Sequence, residues 1–500
     1  MSALPLAVFL LMLASAACAQ PAMLSRDWGQ PIRLRQVSLI APEGPARSAL
    51  EDALRQAGAE VLAVTPGDAL LPNGLTLRPE LLARTLVLLG GIHTNPALLP
   101  LYANYLSFGD AAYPGGDGFV IRPIERPFGP DTAAVALEAT SQGGEAAAVA
   151  RFAELLTTVR DGALPPHFEA HLSPQWEQTV ASVGDPGMRY ALAARASDGA
   201  AGVANLLQVM DPQTGIASAG DYGMERWVRE YGYLQDVPGV GEADVQALDD
   251  RLLKTLLATQ GEYWRARGGG YIGGRHQTMG TSAFACAVHL LRRRGSPNAE
   301  ARQLLDQWWS ECEAYWRNAC STFHDDLEGI PVYYCPEPTL DWALILGVDG
   351  YVKDQLPLAC LRAYTVVDNL GFYAGTGTYE ECRPGDVYKP VPWGWLLRAA
   401  AYFHPGQGYD WVQEHMQGTG LGTWALGRSV VGARNFSGAV ASTGPPDWLG
   451  IRAAPLGEYR YRQLSHDRTA AREKESATWP RLLSAPSRSS VSVTALSQTG

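Results

Sequence analysis

The sequence predicts a multidomain protein: a small N-terminal α/β sandwich, then an α/α toroid, then a disordered C-terminal tail. Three observations indicate this. Strand-like and helix-like segments alternate over residues 33–160, apolar residues recur every three or four positions over 189–418, and 465–500 shows no apolar period. A chain of 500 residues allows about two to four domains at roughly 100–200 residues each. With 46% hydrophobic residues, it can build sizeable cores.

The charge balance argues against one large class of function. The chain carries 51 acidic and 40 basic residues, a formal net charge of −11. Nucleic-acid-binding proteins usually carry more basic than acidic residues, so we predict no nucleic-acid partner.

The N-terminus resembles an export signal. Residues 4–17 are almost wholly apolar, and Ala17-Cys18-Ala19 provides a small-x-small cleavage pattern. The stretch is shorter than the roughly 20 residues that span a bilayer, and no later apolar run reaches that length. We therefore expect a signal peptide over 1–19 and an extracytoplasmic protein, periplasmic or secreted, with no membrane span.

Six cysteines follow the predicted cleavage site. In an oxidising compartment an even number permits disulfides, whereas Cys also packs as a small buried hydrophobe, and both interpretations stay open. The six are Cys286, Cys312, Cys320, Cys335, Cys360 and Cys382.

The α/β region, 33–160, is predicted from short apolar runs bounded by turn residues. Helices are expected over about 46–56, from about Asn95-Pro96 with Asn as N-cap, and over 143–159. The turn at 89–95 lacks both the GxGxxG spacing and a GK[ST] ending, so we expect His93 to be structural and no nucleotide to bind. The predicted strands are 37–41, 61–64, 85–91, 118–124 and 133–139.

Residues 161–188 contain Pro165-Pro166 and are predicted to be a linker. Beyond them, over 189–418, helical segments alternate with loops rich in Gly, Asp and aromatic residues. Serial helical hairpins with long polar loops at one end are typical of an α/α toroid with a loop-lined cleft. The Arg292-Arg293-Arg294 triplet ends one helix and is expected to complement its dipole. The predicted helices are 199–210, 245–265, 281–294, 299–318, 340–346, 356–369 and 395–403.

The first candidate site is the glycine-rich segment GGGYIGGRHQTMG, residues 268–280. Its glycines give the backbone freedom to place Arg275 and His276 at the mouth of the following helix. A guanidinium beside an imidazole can bind and neutralise a carboxylate. The alternative is a helix-entry loop whose histidine only caps the helix.

The second candidate is the loop between two helices at 321–342. It gathers His324, Asp326, Glu328, Tyr333 and Tyr334, and loops on rigid scaffolds often carry function. A solvated polar loop is an equally good interpretation. Three adjacent residues such as His-Asp-Asp at 324–326 rarely face one ion, so we predict no metal and no other cofactor.

The third candidate is the segment 368–395, which is rich in aromatic residues. Tyr373, Tyr379, Trp393 and Trp395 could form a wall on which sugars stack, and Glu380 with Glu381 could supply carboxylates. A long loop packed by its own aromatic side chains is the alternative.

The helical region resembles the heparinase II/III-like and alginate-lyase-like polysaccharide lyases. GGRHQTMG (273–280) is similar to the helix entry of that group, and FHDDLEGIPVYY (323–334) with TLDWAL (339–344) to its acidic loop and following Tyr. The segment 88–124 resembles an N-terminal domain of some lyase-like and glycosidase-like bacterial proteins. The resemblance covers roughly 35–460. Arg275 stands where the family has Asn, and 419–464 resembles a connection toward a C-terminal β-domain that the chain lacks.

The resemblance implies a lyase that cleaves an acidic, uronate-containing polysaccharide by β-elimination. Arg275 and His276 would hold the uronate carboxylate, and Tyr334 or Tyr333 would act as base and acid, with His324 as the competing base. No cofactor is implied. The residues expected to bind substrate are Gln277, Asp326, Glu328, Asn369, Tyr379, Trp393 and Trp395.

Two other functions fit the same residues. An α/α-toroid glycoside hydrolase would pair Asp326 or Glu328 with Glu380, about 5–5.5 Å apart for retention or about 6.5–9.5 Å for inversion. A non-catalytic glycan-binding or surface scaffold protein would bind a polymer without cleaving it. The sequence makes no prediction of oligomeric state.

Overall fold

The fold is described from a computed structural model of the full chain. The residues that it describes are 31–210, 221–234, 242–259, 275–295, 298–321, 336–360 and 394–415, with the single positions 436 and 438. The predicted signal peptide (1–19), the connecting segment (419–464, apart from 436 and 438) and the predicted tail (465–500) lie outside these residues.

The N-terminal region contains a six-stranded mixed sheet with the strand order β3-β2-β4-β6-β5-β8. β2, β3, β4 and β6 are parallel, with Val37 opposite both Val61 and Thr85, and β5 runs antiparallel to β6 and β8. The α/β region predicted from the alternation of strands and helices is therefore confirmed. The strands are β1 Ile32–Arg33, β2 Gln36–Ile40, β3 Glu60–Val64, β4 Thr85–Gly90, β5 Phe119–Glu125, β6 Ala133–Ala139, β7 Ala163–Leu164 and β8 Glu169–His171.

Three helices accompany this sheet: α1 Pro45–Gln56, α2 Leu99–Ala103 and α3 Gln142–Leu156. Leu50 of α1 and Phe152 of α3 belong to one apolar cluster with strand residues such as Val37 and Leu89. α1 and α3 therefore cover one face of the sheet, as the apolar stripe of an amphipathic helix requires.

Asn95 is the helix cap that the sequence predicts. Its Oδ1 accepts from the backbone N–H of Ala97 across 3.2 Å, at the start of a 3₁₀ turn over Pro96–Leu98. Its Nδ2 donates to the carbonyls of Ile40 and Leu89, across 2.9 and 3.0 Å. One buried amide thus joins the carboxyl ends of β2 and β4 to the turn that follows them.

The stretch 161–188, predicted to be a linker, contains regular structure. β7 pairs with β1, β8 extends the sheet beside β5, and α4 spans Pro174–Ser182. The two strands have two and three residues and no apolar run, so hydrophobic patterning carries no signal for them. The stretch therefore completes the sheet as well as leading into the helical region.

The C-terminal part of the described chain is helical. α9 begins at Arg275, six residues before the predicted start. The polar residues ahead of Thr281 are therefore part of the helix. A π-helical turn at Tyr351–Gln355 follows α11. The helices are α5 Pro186–Ala193, α6 Ala196–Val209, α7 Asp221–Tyr233, α8 Glu242–Thr259, α9 Arg275–Arg294, α10 Ala299–Ser321, α11 Pro336–Leu346, α12 Gly394–Phe403 and α13 Tyr409–His415.

The sheet and the helices share one apolar core. Ile40 and Leu88, on the sheet face opposite α1, belong to the same buried cluster as Leu252 of α8 and Leu290 of α9. Polar contacts add to it: Asn73 donates to the carbonyl of Gly347 across 3.1 Å. Within the described ranges, no helix is both long and apolar enough to cross a membrane.

Candidate functional site

The first candidate segment supplies the first turn of α9. Arg275, His276 and Gln277 are the first three residues of this 20-residue helix, and its first turn holds no acidic residue. A helix N-terminus carries a partial positive charge, to which a guanidinium adds a full one. The start of α9 therefore brings the three predicted residues into one turn that carries no negative side chain. The glycines at 268–274 lie outside the described residues.

The part of α9 that follows this turn is fixed by buried polar and aromatic contacts. The indole N–H of Trp342, in α11, donates to the hydroxyl of Ser282 across 2.9 Å. Trp316 of α10 stacks on Trp342, with ring centroids 5.6 Å apart. Because these groups are buried, the part of α9 around Ser282 is packed closely against α10 and α11.

α9 and α10 form a helical hairpin. Arg294 ends α9 and Ala299 begins α10, and so short a connection makes neighbouring helices antiparallel. The N-terminus of α9 and the C-terminus of α10 at Ser321 therefore lie at the same end of the pair. The thiol of Cys320 contacts the carbonyl of Thr339 across 3.4 Å, which brings the first turn of α11 to that end as well.

The residues that flank the second candidate segment lie at this same end of the helix pair. Ser321 and Pro336 border the segment 322–335, which holds five of the predicted site residues and lies outside the described residues. Trp395 stands in the first turn of α12. The predicted site residues outside the described ranges are His324, Asp326, Glu328, Tyr333, Tyr334, Asn369, Tyr379 and Trp393.

Asp341 follows the acidic loop in the sequence, and its carboxylate forms buried contacts that stabilise the fold. It is buried in α11, where one carboxylate oxygen accepts from the Tyr105 hydroxyl across 2.8 Å and lies 3.5 Å from the Arg229 guanidinium. The guanidinium also lies 4.1 Å from the centroid of the Tyr105 ring. These contacts hold α7 and α11 against the sheet region.

The arginines that end α9 have specific partners as well as the helix dipole. Arg292 pairs with Asp306 across 2.6 Å on the surface, whereas the buried Arg294 binds Asp249 and the Tyr231 hydroxyl. His93 lies edge-on to Tyr402, with centroids 5.1 Å apart, in keeping with the structural role expected for it.

The described cysteines lie apart from one another as buried thiols. Among the described side chains, no group of His, Cys, Asp and Glu could hold a metal ion. Cys286, Cys312, Cys320 and Cys360 are buried free thiols, and burial raises the pKa of the last three. These four therefore follow the buried-hydrophobe interpretation. Cys335 and Cys382 lie outside the described residues.

A buried ion pair within the sheet was missed by sequence reasoning. Arg122 of β5 donates through Nε to Glu138 of β6 across 2.9 Å, and both side chains are buried. The available signal was a charged residue inside each of two largely apolar strands, Arg122 in FVIRPIE and Glu138 in AAVALEA. Comparisons with protein-family models, with curated proteins and with solved structures find no match to this chain.

Proposed function

We propose that the protein is a polysaccharide lyase that cleaves a uronate-containing polysaccharide by β-elimination. The observation that supports this is the common end of the α9–α10 hairpin. It carries the Arg275–His276–Gln277 turn, and both borders of the segment 322–335 lie there. A cationic turn and a segment with two tyrosines and a histidine would then face one substrate.

The turn of α9 would supply charge neutralisation. The C5 proton of a uronate is very weakly acidic, and its removal leaves negative charge on the neighbouring carboxylate. Donors already oriented toward that charge stabilise it without reorganisation. Arg275 and His276 would hold the carboxylate, with Gln277 as a further hydrogen-bonding group.

Tyr334, or Tyr333 beside it, would move the proton. Its phenolate removes the C5 proton, the C4–O4 bond breaks, and a C4=C5 double bond forms. The resulting phenol then protonates the leaving O4. Neighbouring positive charge favours the phenolate by lowering the tyrosine pKa. His324 is the competing base.

The remaining elements of the proposal concern architecture and place of action. The hairpin α9–α10 and its packing on α11 support a helical repeat of the kind that closes into an α/α toroid. The path of the sugar chain would be lined by Asp326, Glu328, Asn369, Tyr379, Trp393 and Trp395. The apolar residues 4–17 support export from the cytoplasm.

The test is an elimination assay on the full chain with alginate, heparan-type and glucuronan polymers. Elimination creates a conjugated double bond that absorbs ultraviolet light, which hydrolysis does not. We expect absorbance to rise with at least one polymer. Removing the general base in Tyr334→Phe should lower kcat by about 10²–10⁴-fold.

His276→Ala should raise KM because a contact to the bound carboxylate is lost, and should lower kcat because that contact strengthens as negative charge develops in the transition state. The matched control is His171→Ala, an exposed histidine on the edge strand β8, which should keep full activity. Unchanged activity in both Tyr334→Phe and His276→Ala would contradict the residue assignment. New reducing ends without absorbance would indicate a hydrolase, and binding without scission a glycan-binding protein.

A further inference from the structure

A cavity of about 50 Å³ lies between the sheet and the helices. β5 lines it with Arg122 and Glu125, α5 with Tyr190, and the last turn of α9 with Arg293. Half-buried residues such as Glu125 and Phe168 form its rim. The cavity is therefore a partly enclosed space to which two separate parts of the fold contribute.

Arg122, which lines this cavity, leaves one of its hydrogen-bond donors unsatisfied. It is 6% exposed and donates through Nε to Glu138, while its buried Nη2 has no hydrogen-bond partner among the described residues. Its guanidinium carbon lies 4.6 Å from the centroid of the Phe168 ring. A buried charged donor left without an acceptor is costly, so the cavity favours an occupant that accepts a hydrogen bond.

Charge and size restrict that occupant. Two guanidiniums, Arg122 and Arg293, line the cavity against the single carboxylate Glu125, while Glu138 occupies the Nε side of Arg122. At roughly 10–15 Å³ for each water, the volume holds about three to five waters, or a ligand head of three or four heavy atoms. The aromatic walls favour a ligand with some apolar surface.

We infer that this cavity is a binding site for a small carboxylate of acetate size, with the Arg122 Nη2 and the Arg293 guanidinium as its donors. A carboxylate offers two acceptor oxygens, one for the Arg122 Nη2 and one for the Arg293 guanidinium, and its negative charge strengthens both hydrogen bonds. The methyl group would contact the walls formed by Tyr105, Phe168 and Tyr190.

The site is separate from the proposed catalytic turn. Arg293 and Arg275 are 18 residues apart on α9, which corresponds to about 27 Å along the helix axis at 1.5 Å per residue. Carboxylate binding at this cavity can therefore be tested independently of lyase activity.

The experiment measures acetate binding to the full chain by calorimetry, with acetamide as the neutral probe of the same shape and chloride held constant. We expect acetate to bind with Kd on the order of 1 mM, as the small contact area of four heavy atoms allows, and acetamide to bind at least tenfold more weakly. Equal binding of the two probes, or none of acetate, would overturn the proposal.

Arg122→Lys keeps a positive charge beside Glu138 but removes Nη2, and should weaken acetate binding at least tenfold. Arg84→Lys, at an exposed pair with Glu60, is the matched control and should bind like the wild type. If Arg122→Lys does not fold, Glu125→Gln decides. Removing the carboxylate from the lining should tighten acetate binding severalfold, and unchanged or weaker binding would contradict the site.

Discussion

The Tyr105 hydroxyl donates to Asp341 across 2.8 Å, and this bond joins residues 236 positions apart in the chain. Tyr105 follows α2 in the sheet region, and Asp341 belongs to α11. Both side chains are buried, so the bond forms part of the contact between the two regions.

Tyr105→Phe should therefore lower the free energy of unfolding by about 1.5–3 kcal/mol, since the lost bond is made to a charged group. Urea denaturation followed by circular dichroism measures this. Tyr402→Phe removes a bond to the neutral carbonyl of Ile92 and should cost about 1 kcal/mol. Equal losses in the two variants would contradict the charge-assisted assignment.

Glu138→Gln should destabilise the protein by about 3–5 kcal/mol, because it leaves the Arg122 guanidinium buried without its counter-charge. The double variant Arg122→Met, Glu138→Leu should regain most of this loss, because no buried charge then remains. Denaturation midpoints of the two variants and the wild type make the comparison. A double variant less stable than the single one would refute this account.

His289 makes stability depend on pH below neutrality. Burial, and then the charges of Arg293, Arg229 and Arg292, lower its pKa to about 3 from an ordinary value of 6.5. Between these values the unfolded chain binds the additional proton, so stability falls as pH drops from 6.5 toward 3. His289→Gln keeps a donor for Asn104 and should flatten the stability profile between pH 6.5 and 4.5. An unchanged slope would show that another group titrates there.

Glu169 contributes in a lower window. Burial raises its pKa, but hydrogen bonds from His171, His167 and Arg151 outweigh burial and lower it to about 2 from 4.5. The resulting stability is present above pH 4.5 and is lost as pH falls toward 2. Glu169→Gln should thus be less stable than wild type at pH 6 and approach it at pH 3, as thermal melts would show. A constant difference would contradict this.

Local patterning predicted most of the α/β elements, because the five longer strands are short apolar runs and the longer helices each carry an apolar stripe. Asn95 was identified as a cap from its position before Pro96 alone, and the structure confirms it. β8 escaped detection because the residues Glu169–His171 pair through their backbone with β5 and carry no apolar pattern.

Burial of charge could not be predicted in the same way. Arg122 becomes buried only because β6 supplies Glu138 and the helices cover the strand, which are both long-range facts. For the candidate site, the sequence predicted that Arg275 and His276 stand at a helix entry, and they open α9. The approach of Ser321 to that entry depends on the α9–α10 hairpin and has no local signal.

The apolar core that runs from Ile40 and Leu88 into Leu252 and Leu290 makes the N-terminal third of the chain dependent on the rest. A fragment that ends after residue 172 would leave one face of its sheet uncovered, with aliphatic side chains exposed to water. We expect such a fragment to aggregate. Heating the whole protein should accordingly melt both regions in a single calorimetric peak, and anyone trimming this chain for crystallisation must keep them together.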